Sequence, residues 1–253
     1  MGFNLTNQKV LITGATRGIG REMVSLLLAR SATVLAVARN EAALAELERQ
    51  YPGRVFALKA DLTDPDMPRA IARWVADQHP DCSALINNAA VMMHTYLTDG
   101  DPRHEGEIAT ETTVNLTAPI QLTTALLPTL IAQPKAAIVN VTSGLAIAPI
   151  TNAAVYCATK AGLRHFTKAL RYQCEDVGAN IQVSEAVMTL VDTTLSHGDP
   201  ATKLSPANAA AEVIAGIEAG RREIWIEKTK LLRRVWRLSP SLAEGIMRRR
   251  TPA

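Results

Sequence analysis

Ser143, Tyr156 and Lys160 are the residues whose types and spacing could move a proton. Tyr156 and Lys160 are four positions apart in a helix-period stretch, so their side chains project from one helix face. A phenol has a pKa of about 10, and a neighbouring ammonium lowers that pKa by stabilising the phenolate. Ser143 follows an apolar run and could hydrogen-bond a substrate oxygen. Because Tyr-x-x-x-Lys pairs are common in helices, this set indicates proton transfer only alongside further motifs.

A glycine-rich turn between the first predicted strand and the first predicted helix is a candidate phosphate site. Its residues are Gly14, Thr16, Arg17, Gly18, Ile19 and Gly20. Glycines allow a tight turn and close approach of the backbone to a phosphate, and the helix N-terminus attracts the anion. A strand before and a helix after are the context of a dinucleotide-binding turn. The alternative is a structural turn that binds no ligand.

The end of the second predicted strand indicates which dinucleotide would bind. NAD sites usually carry an acidic residue there, whereas an arginine accommodates the 2′-phosphate of NADP. In this chain Arg39 and Asn40 follow the strand, and Arg17 is a second cation able to reach the same phosphate. The sequence therefore favours NADP(H), with NAD(H) as the alternative. The competing interpretation is that Arg39 only caps a surface turn.

Apolar runs alternate with helix-period segments along the chain, which predicts an α/β fold. The predicted strands cover 9–13, 33–37, 55–58, 84–86, 136–141, 181–184 and 223–226, and the predicted helices cover 18–30, 41–50, 67–78, 105–131, 153–177 and 206–219. Strands that are apolar throughout indicate a sheet with helices on both faces. We expect a single doubly wound, Rossmann-type domain over residues 1–227, with a seven-stranded, mostly parallel sheet.

Two stretches between these elements are predicted to be loops. Residues 92–105 contain Asp-Gly-Asp-Pro, and residues 188–206 contain Gly-Asp-Pro with scattered Ser and Thr. Both follow predicted strands, at the carboxyl edge where open α/β sheets bind ligands. Residues 188–206 are long enough to form a mobile lid over that edge.

Six motifs occur in one order along residues 1–227. They are Thr13-Gly14-x-x-x-Gly18-x-Gly20, Asp61-Leu62, Asn87-Asn88-Ala89-Ala90, Asn115, Ser143 and Tyr156-x-x-x-Lys160. In their order and spacing they resemble the short-chain dehydrogenase/reductase family. The resemblance implies an NAD(P)-dependent oxidoreductase, which is an enzyme that exchanges hydride between the cofactor and a carbonyl or alcohol.

The resemblance also implies a role for each catalytic residue. Tyr156 would donate a proton to the carbonyl oxygen in reduction and accept it in oxidation, and Ser143 would orient that oxygen. Lys160 would hydrogen-bond the nicotinamide ribose and, with the oxidised cofactor, lower the pKa of Tyr156. Asn115 would hold a water that links Lys160 to solvent.

Other motif residues are implied to contact the cofactor. Asp61 and Leu62 would border the adenine, while Asn88, Ala89 and Ala90 would support the glycine turn and line the cofactor. Val191 and Thr193 align with positions that follow the sixth strand, and the family's residue at the Thr193 position often contacts the amide or the phosphates of the cofactor.

The chain departs from the family's pattern at two places. Met188 and Thr189 replace the usual Pro-Gly, which removes a rigid turn, and Ala90 replaces a glycine, which matters only where φ is positive.

Composition and charge exclude several other classes of protein. The net charge is +3, with +7 carried by residues 228–253, so the mildly acidic remainder argues against nucleic-acid binding. The five histidines lack ligand spacing, which predicts no metal site. The three cysteines lack CxxC spacing, which is typical of reduced thiols in a cytoplasmic protein. We expect a soluble chain, since neither a signal peptide nor an uninterrupted apolar stretch of membrane length is visible.

Residues 228–253 are predicted to form a basic, amphipathic helical tail. Apolar residues recur at helical spacing before and after Ser239-Pro240, namely Leu231, Leu232, Val235, Trp236, Leu242, Ala243, Ile246 and Met247. The favoured interpretation is that this face packs against the domain or a second subunit. The alternative is contact with an anionic membrane surface.

Taken together, these features predict NADPH-dependent reduction of a hydrophobic ketone or aldehyde. The pocket walls, expected from 91–96, 145–150 and 188–206, are mostly apolar. Two alternatives stay open, which are an NAD(P)+-dependent alcohol dehydrogenase working oxidatively and a dinucleotide-sensing protein without turnover. The intact catalytic set argues against the sensor. Family resemblance further implies a homodimer or homotetramer packed through 105–131 and 153–177.

Overall fold

A parallel sheet forms the centre of the structure. The computed structural model describes residues 2–193 and 203–249, and seven strands lie within them. They are β1 (Lys9–Thr13), β2 (Thr33–Ala38), β3 (Val55–Lys59), β4 (Cys82–Asn87), β5 (Ala136–Ser143), β6 (Ile181–Met188) and β7 (Glu223–Trp225). All neighbouring pairs are parallel, in the order β3-β2-β1-β4-β5-β6-β7. The order reverses between β1 and β4, which creates the crevice where such sheets bind ligands.

Helices cover both faces of this sheet. In the described residues they are α1 (Gly18–Ala29), α2 (Glu41–Gln50), α3 (Met67–Gln78), α4 (His104–Thr112), α5 (Ala118–Ile131), α6 (Ala154–Asp176), α7 (Pro206–Glu218), α8 (Thr229–Leu238) and α9 (Pro240–Arg249). One hydrophobic core lies between the sheet and α1, α2 and α7, and the other lies under α3, α5 and α6. Val10 and Ile12 point into the first core and Leu11 into the second, which explains why the strands are apolar throughout. The predicted doubly wound α/β fold is confirmed.

Strand β6 is longer than the sequence predicts. The prediction stopped before a charged residue, and the structure buries that residue within the strand. The predicted strand ends at Ser184, where the charged Glu185 follows, yet β6 continues to Met188. Glu185 is fully buried and pairs with Arg164 of α6, while the Thr142 hydroxyl donates to its Oε1 at 2.6 Å. A buried carboxylate with an ion-pair partner and a hydrogen bond can be accommodated in a sheet. The longer β5 and β6 both carry residues of the site to the carboxyl edge.

The predicted helix over 105–131 is interrupted near its middle. Helix α4 ends at Thr112, a π-helical turn covers Thr113–Thr117, and α5 follows. By length and composition, the whole stretch His104–Ile131 is long and apolar enough to cross a membrane, although polar residues interrupt its apolar run. Leu122, Leu126 and Leu130 are nevertheless buried against the sheet, which is the packing of a core helix.

The predicted lid is described only at its two ends. Residues 194–202 lie outside the described residues, as do 250–253 at the end of the tail. At the ends of the lid, Val191 and Leu204 form an isolated parallel bridge. The tail forms the two predicted helices, α8 and α9, which pack against each other as a hairpin.

Candidate active site

A cavity of about 1330 Å³ opens at the carboxyl edge of the sheet, beside the reversal between β1 and β4. Its walls include every residue predicted to contact the cofactor, which are Gly14, Thr16, Arg17, Gly18, Ile19, Gly20, Arg39, Asn40, Asp61, Leu62, Asn88, Ala89, Ala90, Tyr156, Lys160, Val191 and Thr193. Ser143 lies on the same walls. Ligand cavities usually measure about 300–1,000 Å³, so this one has room for a dinucleotide together with a substrate.

The glycine turn leaves space that side chains would fill. Gly14 has a φ of +70°, a conformation that favours glycine. A Cβ on Gly20 would lie 2.0 Å from the Gly14 carbonyl oxygen, so only glycine lets α1 begin this close to β1. The turn therefore presents its backbone and the start of α1 to the cavity, as phosphate binding requires.

Hydrogen bonds join the glycine turn to the end of β4. The Thr13 hydroxyl oxygen accepts from the backbone N–H groups of Asn88, at 3.1 Å, and Ala89, at 3.0 Å. In return, Asn88 Nδ2 donates to the Thr13 carbonyl at 3.0 Å. Ala90 is not among the residues with positive φ, so its replacement of the usual glycine causes no backbone strain. The two strands at the reversal are thereby held in register at the cavity floor.

Two arginines line the part of the cavity beyond β2. Arg17 and Arg39 are exposed, and neither side chain has a hydrogen bond or ion pair with any described residue. The N-cap of α2 is Asn40, whose Oδ1 accepts from the Ala43 N–H at 3.0 Å, so Arg39 is not the cap of that turn. Asp61 holds its own loop by accepting from the Thr63 N–H at 3.0 Å. The glycine cradle fits the phosphates of a nicotinamide dinucleotide, and the two arginines line the same cavity.

The catalytic candidates meet where β5 ends beneath α6. Ser143 is the last residue of β5, and its Oγ accepts from the Leu145 N–H at 3.2 Å. Tyr156 and Lys160 lie one turn apart near the start of α6, and both are buried. Lys160 Nζ donates to the Val141 carbonyl at 3.0 Å and lies 5.7 Å from the centroid of the Tyr156 ring. The three predicted residues are thus brought to one wall of the cavity.

Burial controls the protonation of this group. Desolvation raises the pKa of the Tyr156 phenol, the charges of Cys157 and Glu111 add to that effect, and a hydrogen bond with Ser143 opposes it. Desolvation also lowers the pKa of Lys160 to about 8, although Glu111 opposes that shift. Burial therefore keeps the phenol protonated at neutral pH. The predicted lowering of the Tyr156 pKa by Lys160 depends on the oxidised cofactor and stays a prediction.

Asn115 lies behind the cavity wall, and it is not one of the lining residues. It is fully buried in the π-helical turn, and both ends of its amide bond the main chain of Val91. Oδ1 accepts from the Val91 N–H at 2.9 Å, and Nδ2 donates to the Val91 carbonyl at 2.7 Å. Because Val91 itself lines the cavity, Asn115 fixes the loop after β4. Single π-helical turns are frequent at functional sites, but their position is not visible in a sequence.

Glu111 is a site residue that the sequence analysis missed. Its side chain is buried in α4, and its Oε1 accepts from the Met93 N–H at 2.8 Å. Desolvation raises the pKa of this carboxyl, and the Met93 hydrogen bond and Lys160 oppose the rise. Glu111 precedes Asn115 by four residues, so the two side chains lie on one helix face. That spacing is the signal in the sequence that could have identified Glu111.

The tail, for which the sequence favoured packing against the domain or a second subunit, forms a further wall of the cavity. Thr229, Leu231, Leu232 and Val235 of α8 line it, together with Ile246 and Met247 of α9. A Cβ on Gly144 would lie 3.0 Å from the Leu232 side chain, so α8 reaches the residue next to Ser143. Met188 and Thr189 also line the cavity, at the end of β6. The tail therefore packs over the reacting edge of the sheet.

A family model described as short chain dehydrogenase matches residues 8–203. The chain belongs to the short-chain dehydrogenase/reductase family. The family uses NAD or NADP, so this chain is an NAD(P)-dependent oxidoreductase.

Similar proteins extend over nearly the whole chain. The uncharacterised oxidoreductase DltE of Bacillus subtilis is 34% identical over 239 residues, which cover 91% of this chain and 92% of the relative. The ketoacyl reductase HetN of Nostoc is 30% identical and spans 96% of this chain and 89% of the relative. A short chain dehydrogenase from Burkholderia cenocepacia, solved in complex with NADP, superposes with a TM-score of 0.85 at 24% identity, over 99% of this chain and 100% of that one. This last likeness includes α8 and α9, so the fold is shared up to the tail.

Replacing Asn115 tests its hold on the cavity wall. We expect Asn115→Ala to lower the free energy of unfolding by about 1–3 kcal/mol, because the Val91 N–H and carbonyl lose their partners. Urea denaturation followed by circular dichroism measures this change. The matched control is Thr124→Ala, whose hydroxyl bonds the Ile120 carbonyl on an exposed helix face. Equal destabilisation by the two variants would contradict a special role for Asn115.

Proposed function

We propose that this enzyme uses NADPH to reduce a hydrophobic ketone or aldehyde to an alcohol, with Tyr156 as the proton donor. The observation that carries the proposal is the position of a buried, protonated phenol beside Ser143 and Lys160, on a cavity that begins at the glycine turn. A protonated phenol held beside the substrate oxygen can donate its proton as hydride arrives, which is what reduction requires. The oxidative direction would start from the phenolate, which burial disfavours.

The side chains can carry out the proton half of this reaction. The Ser143 hydroxyl would bind the substrate oxygen and hold it against the Tyr156 hydroxyl. The bound nicotinamide would supply hydride to the carbonyl carbon. As negative charge develops on the oxygen, Tyr156 transfers its proton and forms the alcohol. The Lys160 ammonium, 5.7 Å from the ring, then stabilises the phenolate until it is protonated again.

The proposed cofactor preference rests on the arginines beyond β2. No acidic residue follows the strand at the position that would bind a ribose hydroxyl, and Arg39 occupies it. Arg39 and Arg17 are both available to form charge-assisted hydrogen bonds with a 2′-phosphate. NADPH also suits the reductive direction.

The proposed substrate class rests on the cavity walls around Ser143. Val91, Leu145, Ile150, Met188 and Leu232 are apolar and surround the catalytic residues. Such walls favour an apolar carbonyl compound over a heavily hydroxylated one, because hydroxyl groups would be desolvated without partners. The similarity to HetN, which is a ketoacyl reductase, supports reduction of a ketone.

We also propose that the enzyme is a homodimer or homotetramer that packs through α4, α5 and α6. Large apolar side chains are exposed on these helices at Ile108, Ile131 and Tyr172, and at Val177 directly after α6. Burial of such side chains in an interface is favourable.

The central test is substitution of Tyr156 by phenylalanine. We expect Tyr156→Phe to lower kcat by about 10²–10⁴-fold, because the proton donor is lost while the ring is retained. The measurement is NADPH consumption with a panel of hydrophobic ketones and aldehydes. NADPH affinity should stay within about twofold, since the cradle is unchanged. The matched control is Tyr51→Phe, which does not line the cavity and lies outside the proposed subunit interface. Retention of activity in Tyr156→Phe would overturn the proposal.

Cofactor preference can be tested separately by binding. We expect Arg39→Ala to weaken NADPH binding about 10–100-fold and to leave NADH binding unchanged, because only the 2′-phosphate loses charge-assisted hydrogen bonds. Titration followed by nucleotide fluorescence gives both affinities. Arg69→Ala removes an exposed arginine from α3 and should alter neither affinity. A variant with parallel losses for the two nucleotides would show that Arg39 does not read the phosphate.

The dependence of kcat/KM on pH should reflect the titration of the buried Lys160. With its pKa near 8, Lys160 loses its positive charge as pH rises through that value, so kcat/KM for reduction should fall above about pH 8. Glu111→Gln removes a charge that favours the ammonium and should move the fall to lower pH. Glu105→Gln, at an exposed position of α4, should reproduce the wild-type profile. A profile that stays flat to pH 9.5 in all three proteins would contradict this assignment.

A further inference from the structure

The hairpin of α8 and α9 has an outer surface that its own packing does not cover. Of twelve large hydrophobic side chains that are exposed among the described residues, five lie on this hairpin. They are Leu231, Trp236, Leu238, Leu242 and Ile246, with Leu238 89% exposed. We refer to these five residues as the hairpin face. A concentration of exposed apolar side chains on 21 residues is typical of a surface that meets another apolar surface.

The hairpin face continues into the mouth of the cavity. Leu231 and Ile246 both line the cavity and remain exposed, so they form part of its rim. Leu232 and Val235, which lie further inside, are only partly exposed. The apolar surface therefore runs without a break from outside the molecule to the neighbourhood of Ser143.

Positive charge without a partner surrounds the hairpin face. Arg234, Arg237 and Arg248 are exposed, and none has an ion pair or hydrogen bond from its side chain with another described residue. In contrast, Lys230 pairs with Glu212, and Arg233 pairs with Glu223. By sequence, residues 229–249 carry a net charge of +5 in a chain whose total is +3. The hairpin is thus the positive end of an otherwise slightly acidic molecule.

We propose that the hairpin face docks on the surface of an anionic lipid bilayer. Amphipathic helices with exposed Leu and Trp beside Arg lie in bilayer interfaces, where apolar side chains enter the acyl boundary and arginines contact anionic headgroups. If a second copy of this chain docked through the same face, the net charge of +5 on one hairpin would meet +5 on the other. Electrostatic repulsion disfavours that contact. In the docked orientation the rim residues Leu231 and Ile246 face the bilayer, and the cavity opens towards it. The docking is independent of the proposed reaction.

The test is binding of the full chain to lipid vesicles. We expect co-sedimentation with vesicles of phosphatidylcholine and phosphatidylglycerol, much weaker binding to phosphatidylcholine alone, and release by salt. The double variant R234Q/R237Q should bind about thirty-fold more weakly. Its matched control, R69Q/R73Q, removes two exposed arginines from α3 and should bind like the wild type. The double variant L238S/L242S should lose at least about tenfold in affinity.

Trp236 fluorescence and NADPH affinity test whether vesicle binding occurs through the hairpin face. Trp236 is 39% exposed, so its fluorescence should shift to shorter wavelength on anionic vesicles, and W236F should remove that shift. NADPH affinity serves as the folding control, because Arg234, Arg237, Leu238 and Leu242 do not line the cavity. The proposal is overturned if the wild type ignores anionic vesicles or if R234Q/R237Q and R69Q/R73Q bind equally well. It is also overturned if L238S/L242S dissociates an oligomer without changing vesicle binding, which would assign the face to a second copy.

Discussion

The buried ammonium of Lys160 is the group whose accommodation constrains the site most strongly. Removal of a charged amine from water is costly unless polar partners replace the water. The Val141 carbonyl, at 3.0 Å, supplies one partner, and the carboxyl of Glu111 favours the charge from a distance. Helix α6 must therefore lie close against β5 at this point. Because Tyr156 is one turn away and Ser143 ends β5, the same packing sets the geometry of all three residues.

The part of the site that depends on the local chain could be predicted from the sequence. The glycine turn follows from a strand, three glycines and a helix in succession, and a Cβ at Gly20 would indeed meet the Gly14 carbonyl. Arg39 follows directly after a strand whose apolar run is unmistakable. Tyr156 and Lys160 share a helix face by spacing alone. Each of these inferences needs only residues that are near one another in the chain.

The features that could not be predicted depend on contacts between distant residues. Glu185 ended the predicted strand because its partner Arg164 belongs to another element. The raised pKa of Tyr156 follows from burial, which no local pattern specifies. Asn115 was expected to hold a water that links Lys160 to solvent, and its bonds to Val91 through the π-helical turn were not foreseen. The closing of the cavity by α8 is of the same kind, since an amphipathic helix does not reveal what its apolar face will cover.

The contact between Leu232 and Gly144 has a thermodynamic consequence. A single element, α8, touches the catalytic edge on one side and solvent on the other. If binding on either side shifts α8, the other side responds as well. Linkage requires the effect to be mutual. If a surface outside the molecule tightens the binding of a compound in the cavity by some factor, that compound tightens attachment to the surface by the same factor. An enzyme built in this way would stay longest where its substrate is most abundant.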